Sequence, residues 1–118
     1  MAVERKRKPA RFYRTDSGGE PVREWLKSLD KQDRFFIGTN IKTVEYGWPI
    51  GMPVCRPMGK GLYEVRTNLA GNRIARVLFC IAEGEMVLLH AFMKKSQKIP
   101  KSDLDLAIDR KRRLETER

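Results

Sequence analysis

GLYEVRTNLAGNRIARVLFCIAEGEMVLLHAFMKK, residues Gly61 to Lys95, decides the fold. It reads as three antiparallel strands. In Leu62–Thr67, Tyr63 and Val65 share one face, and Leu62, Glu64 and Arg66 share the other. Asn68–Asn72 carries Asn, Gly and Asn, the residues of a turn. In Arg73–Ile81, Ala75, Val77, Phe79 and Ile81 lie on one face, and Arg76 lies opposite with Ile74, Leu78 and Cys80. Glu83-Gly84-Glu85 supplies the next turn. Met86–Met93 is nearly apolar throughout, the pattern of a central strand covered on both sides. It ends at Lys94-Lys95. Arg66, Arg76, Lys94 and Lys95 thus come from neighbouring strands or their ends. Cations gathered on one sheet face, with few acids between them, suit a polyanion.

Outside this stretch, Ala10–Thr15 (ARFYRT) is expected to form a first strand, and Asp16-Ser17-Gly18-Gly19 a turn. Pro21 fits the first position of a helix. Val22, Trp25, Leu26 and Leu29 then make one apolar stripe. Asp30 can cap a second helix over Lys31–Tyr46, with Phe36 or Ile37, Ile41 and Val44 buried. Gly47 ends it, and Pro49 prevents resumption. The helices are expected to lie as an antiparallel pair on the sheet. Trp48–Lys60 (WPIGMPVCRPMGK), rich in Gly and Pro, reads as a loop bringing Arg56 and Lys60 beside the sheet. Ser102 can cap a last helix, with Leu104, Ala107 and Ile108 along one face. The expected class is α+β, in the order β-α-α-β-β-β-α.

The length of 118 residues fits one domain, here residues 10–118 after a basic flexible arm, residues 1–9. There are 25 Lys and Arg against 15 Asp and Glu, a formal charge of +10. Clustered excess charge of this kind points to nucleic acid or an acidic protein as partner. No signal-peptide core or membrane-length apolar run is present, so a cytoplasmic location with reduced Cys55 and Cys80 is expected. Two thiols and one His make no metal site, and no cofactor is expected.

The element order, charge and strand triplet resemble the RelE/ParE superfamily of bacterial type II toxins, in its phage-derived HigB-like branch. The segments carrying the resemblance are GGEPVREWLKSL, GLYEVR, RVLF and LLHAFMKKSQKIPKSDLDLAIDR, within about Arg11 to Arg110. The resemblance implies a microbial-RNase-type fold. It has an antiparallel sheet, an N-terminal helix pair packed on it and a C-terminal helix. It also implies an mRNA-cleaving toxin acting on the ribosome, with basic residues on the sheet holding the message. A cognate antitoxin, commonly with a helix-turn-helix DNA-binding domain, would neutralise it. Arg66, Arg76 and Lys95 match positions where relatives place cations. Glu64 departs, since relatives have Lys there, and Ser96–Asp103 lacks the Tyr that some relatives carry.

Ribonucleases without metal use the substrate's 2′-OH as nucleophile. They need a base for it, cations for the phosphate and an acid for the leaving 5′-oxygen. Arg66 and Arg76 suit the phosphate. Lys94, Arg56, Lys60 and Arg73 are expected to add RNA contacts. His90, expected to share a strand face with Leu88, Phe92 and Lys94, is the one side chain with an ordinary pKa near neutrality. It is either acid or base, or a histidine satisfied inside the core. Glu64 is either a base or the neutraliser of Arg66. Arg76→Ala is expected to abolish toxicity with the fold intact, because a strand Arg on an open face supports little core. Two other functions fit the same fold: gyrase inhibition of the ParE kind, and RNA binding without catalysis.

Overall fold

The computed structural model describes residues 5–94 and 98–116. The elements in order are β1 (Ala10–Phe12), α1 (Pro21–Ser28), α2 (Lys31–Gly47), β2 (Cys55–Gly59), β3 (Leu62–Leu69), β4 (Arg73–Ala82), β5 (Glu85–Lys94) and α3 (Lys101–Thr116). The strands form one five-stranded sheet in the order β1-β5-β4-β3-β2. The class is α+β, as expected, but the sheet departs from the expectation in two ways.

The first departure is β2, which lies inside the segment read as loop. Its Arg56 and Pro57 pair antiparallel with Glu64 and Tyr63. Proline is tolerated because β2 is an edge strand, where the missing N–H costs no ladder bond. The N–H of Cys55 is taken by Gly51 O at 3.3 Å, so the edge offers few free donors. The second departure is β1, which runs parallel to β5, with Ala10 opposite Met86 and Phe12 opposite Leu88. The sheet is therefore mixed, not antiparallel. Alternation in a sequence fixes which face a side chain takes, not the direction of its strand. β1 is also shorter than expected, although Tyr13 N still donates to Leu88 O at 3.0 Å.

Two hairpins hold the central strands in register. Glu83 and Gly84 both take positive φ, 52° and 78°, and join β4 to β5 in a two-residue turn. Lys60 and Gly61 do the same between β2 and β3, at 56° and 76°.

Each face of the sheet is covered. On one side α1 lies over β5 and α2 over β3. There Val22, Ile37, Ile41 and Val44 pack on Val65, Val77, Phe79 and Leu88. Ile37 is the inward residue and Phe36 is exposed, which resolves the alternative left by periodicity. Asp30 caps α2 as expected, its Oδ1 accepting from Asp33 N at 2.8 Å. On the other side α3 sets Ala107 against Leu62, Leu78, Val87 and Leu89. α3 starts two residues earlier than expected. The N–H groups of Asp103 and Leu104 reach Pro100 O, so Ser102 is already inside the helix.

The basic arm is anchored where it is described. Arg7 N and Lys8 N donate to Glu45 O at 2.8 and 3.0 Å, and Lys6 Nζ lies 3.1 Å from Glu45 Oε2. Arg7 Nη1 adds a bond to Trp48 O at 3.3 Å. Cations thus collect at the C-terminal end of α2, where the helix dipole favours them.

Candidate active site

The register of the sheet sorts the expected residues into cross-strand rows on the α3 side. Arg56, Glu64, Leu78 and His90 make one row. Arg66, Arg76 and Phe92 make the next, and Asn68, Ile74 and Lys94 a third. Side chains in adjacent rows of one face are diagonal neighbours within reach of long residues. The three arginines, Glu64 and His90 therefore occupy one region of the face.

Arg76 is not on an open face. It is completely buried, and so is Glu64. Arg76 Nη1 donates to Glu64 Oε2 at 2.6 Å. The expectation of a dispensable surface arginine is thus corrected, and Glu64 neutralises Arg76 rather than Arg66. The physical reason is the register. Arg66 and Arg76 stand directly opposite each other, and facing like charges repel. The carboxylate of the adjacent row relieves that repulsion from inside the sheet. Arg56 Nε lies 3.8 Å from the second oxygen, Glu64 Oε1, which accepts no hydrogen bond among the described residues. Arg66 is half-buried and makes no ion pair among the described residues. One buried carboxylate is thus flanked by two guanidinium groups, those of Arg76 and Arg56, with Arg66 in the next row, and the cluster stays cationic.

His90 has a side-chain partner from a different element. Its Nε2 lies 2.7 Å from Asp103 Oδ1 in the first turn of α3. In the neutral tautomer whose Nε2–H donates to that carboxylate, Nδ1 carries the lone pair. The ring stacks on Phe92 at 5.6 Å. The alignment of His90 with Leu88, expected from strict alternation, is corrected. A bulge sets His90 opposite Leu78 but Leu88 opposite Phe79, so Leu88 faces α1 and α2. The extra residue is Leu89, whose carbonyl accepts from Arg110 Nη1 at 2.8 Å. Burial lowers the pKa of Arg110, which also lies over the Tyr13 ring. Asp103 escaped the sequence reading. The only available signal was an acid two residues inside a helix next to the strand carrying the lone His.

The remaining expected residues separate. Arg73 sits on the other face, where Nη1 and Nη2 grip Asp33 Oδ2 and Oδ1 at 2.6 and 3.1 Å. That places Arg73 against α2, away from Arg66. Lys60 tops the β2–β3 turn, beyond Leu62 and more than two rows from Arg66. Lys94 ends β5 in the third row. Lys95 lies outside the described residues. Tyr63 is partly buried against the core, stacked on Phe79 at 5.5 Å with Trp48 edge-on at 4.8 Å.

Both cysteines are buried, and no disulfide joins them. Burial, followed by the nearby Glu64 charge, pushes the Cys55 thiol up to about 11. It stays protonated at neutral pH, which removes it as a nucleophile. No helix among the described residues is long and apolar enough to cross a membrane.

The family described as Phage derived protein Gp49-like (DUF891) matches residues 24–112, from α1 into α3. That span holds the three rows and Asp103. No curated protein matches the chain. The Gp49-like family is associated with the toxins of toxin–antitoxin systems. The chain belongs to this phage-derived Gp49-like family, a RelE/ParE-like toxin family.

Proposed function

We propose that the chain is the toxin of a type II toxin–antitoxin system of the HigB-like branch. It acts as a ribosome-dependent, metal-independent mRNA endoribonuclease and so arrests growth. A cognate antitoxin with a helix-turn-helix domain restrains it. The observation carrying this reading is the arginine cluster around Glu64 in the rows that also hold the His90–Asp103 pair.

In this reading Arg66 and Arg56 bind the scissile phosphate, because both keep solvent access and suit phosphate with planar donors. Arg76, held by Glu64, is a positioning residue that fixes the cationic field from inside the sheet. His90 Nδ1 takes the proton of the 2′-OH, and Asp103 orients the ring and stabilises the imidazolium that forms. The 2′-oxygen bonds to phosphorus and the 5′-oxygen leaves, giving a cyclic phosphate. The ammonium of Lys95, directly after β5, protonates the leaving oxygen. Each charge-assisted contact to the phosphate contributes about 1.5–3 kcal/mol.

One observation favours the competing gyrase reading. Arg76 is enclosed and already paired, as a structural arginine would be. Mapping 5′ ends of cellular mRNA after induction separates the two. New ends inside translated frames support the endoribonuclease. Gyrase-linked DNA breaks without them support the ParE-like activity.

A further inference from the structure

The outward face of α2 exposes two adjacent aromatic rings. Phe35 and Phe36 are 67% and 44% exposed, and their rings meet edge-on at 5.9 Å. Helical spacing continues that apolar start through Gly38, Thr39 and Thr43. Both threonine hydroxyls are spent inside the helix. Thr39 Oγ1 donates to Phe35 O at 2.8 Å and Thr43 Oγ1 to Thr39 O at 3.0 Å. Their hydroxyls therefore need nothing from a partner. Gly38 presents bare backbone, with nothing within 4 Å of where a Cβ would sit. The result is a shallow strip with two rings at one end.

The charges around the strip are all of one sign. Lys31 and Lys42 close its ends, about 16 Å apart along the axis, and Arg34 borders one side. All three are exposed, and none makes an ion pair among the described residues. The helix has two acids besides its cap, Asp33 and Glu45, and both are buried. Arg73 takes the first, and Lys6 with the Ala10 N–H takes the second.

We infer that this face of α2 docks an acidic amphipathic helix of a partner protein. The partner's apolar stripe covers Phe35, Phe36 and the methyl strip, and its carboxylates meet Lys31, Arg34 and Lys42. A second copy of this chain is disfavoured, because a self-complementary contact brings like cations together. RNA is disfavoured because both threonine hydroxyls of the strip are already spent inside the helix, leaving few groups to read a base edge. α2 covers the sheet face opposite Arg66 and Arg76. A partner seated here leaves the arginine rows uncovered, so any inhibition it exerts is by bulk. The inference rests on the toxin–antitoxin reading only for the identity of the partner that supplies the helix.

The test uses a fluorescently labelled synthetic helix of ~20 residues, with Leu on one face and Glu on the other, titrated into the full chain. Its counterpart carries Lys in place of Glu. The expected result is binding of the acidic peptide alone. The double variant Phe35→Ser, Phe36→Ser should weaken it at least tenfold, with unchanged melting, since both rings are exposed. Lys42→Glu should weaken it as well. Equal binding by wild type and the double variant overturns the inference, as does no binding to wild type. An oligoribonucleotide whose binding is lost in the same variant assigns the face to RNA instead. A dimer in sedimentation that the variant abolishes assigns it to a second copy. Growth arrest on induction should match wild type in the double variant. A chain that binds the peptide without arresting growth keeps the inference and removes the toxin function. A chain that arrests growth and ignores the peptide does the reverse.

Discussion

Arg76 carries a charge that solvent does not reach, and that decides what its substitution does. Removing one partner of a buried ion pair strands the other, at a cost of about 3–5 kcal/mol. Arg76→Ala and Glu64→Gln should both lower the denaturation midpoint steeply. The double replacement by apolar residues of similar volume should recover most of the loss, because it strands no charge. Chemical denaturation of the three proteins checks this, and full stability in Arg76→Ala would contradict the buried pair. A loss of toxicity in that variant cannot be credited to chemistry alone. Arg66 is the better probe, being half-buried and without an ion-pair partner among the described residues. His90 and Asp103 form the other informative pair. His90→Gln loses one hydrogen bond to α3, worth about 1 kcal/mol. The expected outcome is a small shift in melting and a large loss of cleavage. A large melting shift with cleavage retained would make His90 structural. The face of each arginine was legible from alternation, but its depth was not. Depth depends on which carboxylate reaches it across strands, and Glu64 is in the row beside Arg76 rather than opposite it.

At the scale of elements, α2 is tied down at both ends by acids. Asp30 caps it, and Asp30→Ala should cost about 0.5–2 kcal/mol. The bidentate grip of Arg73 on Asp33 fixes the first turn to the start of β4. The Arg73 hydrogen bond, with its charge adding to it, holds the Asp33 carboxyl below its ordinary range despite burial. A carboxyl with a depressed folded pKa contributes stability above its unfolded value, near 3.9. That contribution fades as pH falls through the folded pKa. Asp33→Asn should therefore be less stable than wild type at neutral pH, and the gap should close below about pH 4. Paired melts across pH 2–7 measure this, and a gap that persists at the acid end would contradict it. The caps and stripes of the helices were legible because they are local in sequence. β2 was not, since its Gly and Pro content signals a loop and only the edge position makes the strand tolerable. The β5 bulge was equally hidden. Nothing in MVLLHAF marks where one residue is inserted, yet the insertion decides that Leu88 and His90 face opposite ways.

For the molecule as a whole, the sheet divides two tasks between its faces. One carries α1 and α2 over an apolar core, with a cationic strip outside. The other carries α3, with the arginine rows beside it. The excess of cations was legible in composition, and the shared face of Arg66 and Arg76 was legible in the strand triplet. The parallel pairing of β1 with β5 was not, because no hairpin links strands so distant in sequence. Binding of RNA or ribosomes should weaken steeply with salt, since each neutralised phosphate releases counterions. Salt-independent association would remove the electrostatic account. The most direct measurement is 5′-end mapping of cellular mRNA after brief induction of wild type and of Arg66→Ala, with melting curves alongside. The account predicts cuts inside translated frames for wild type and a tenfold to hundredfold loss of them in Arg66→Ala, with melting unchanged. Cuts of equal number and position in an equally stable Arg66→Ala would contradict it.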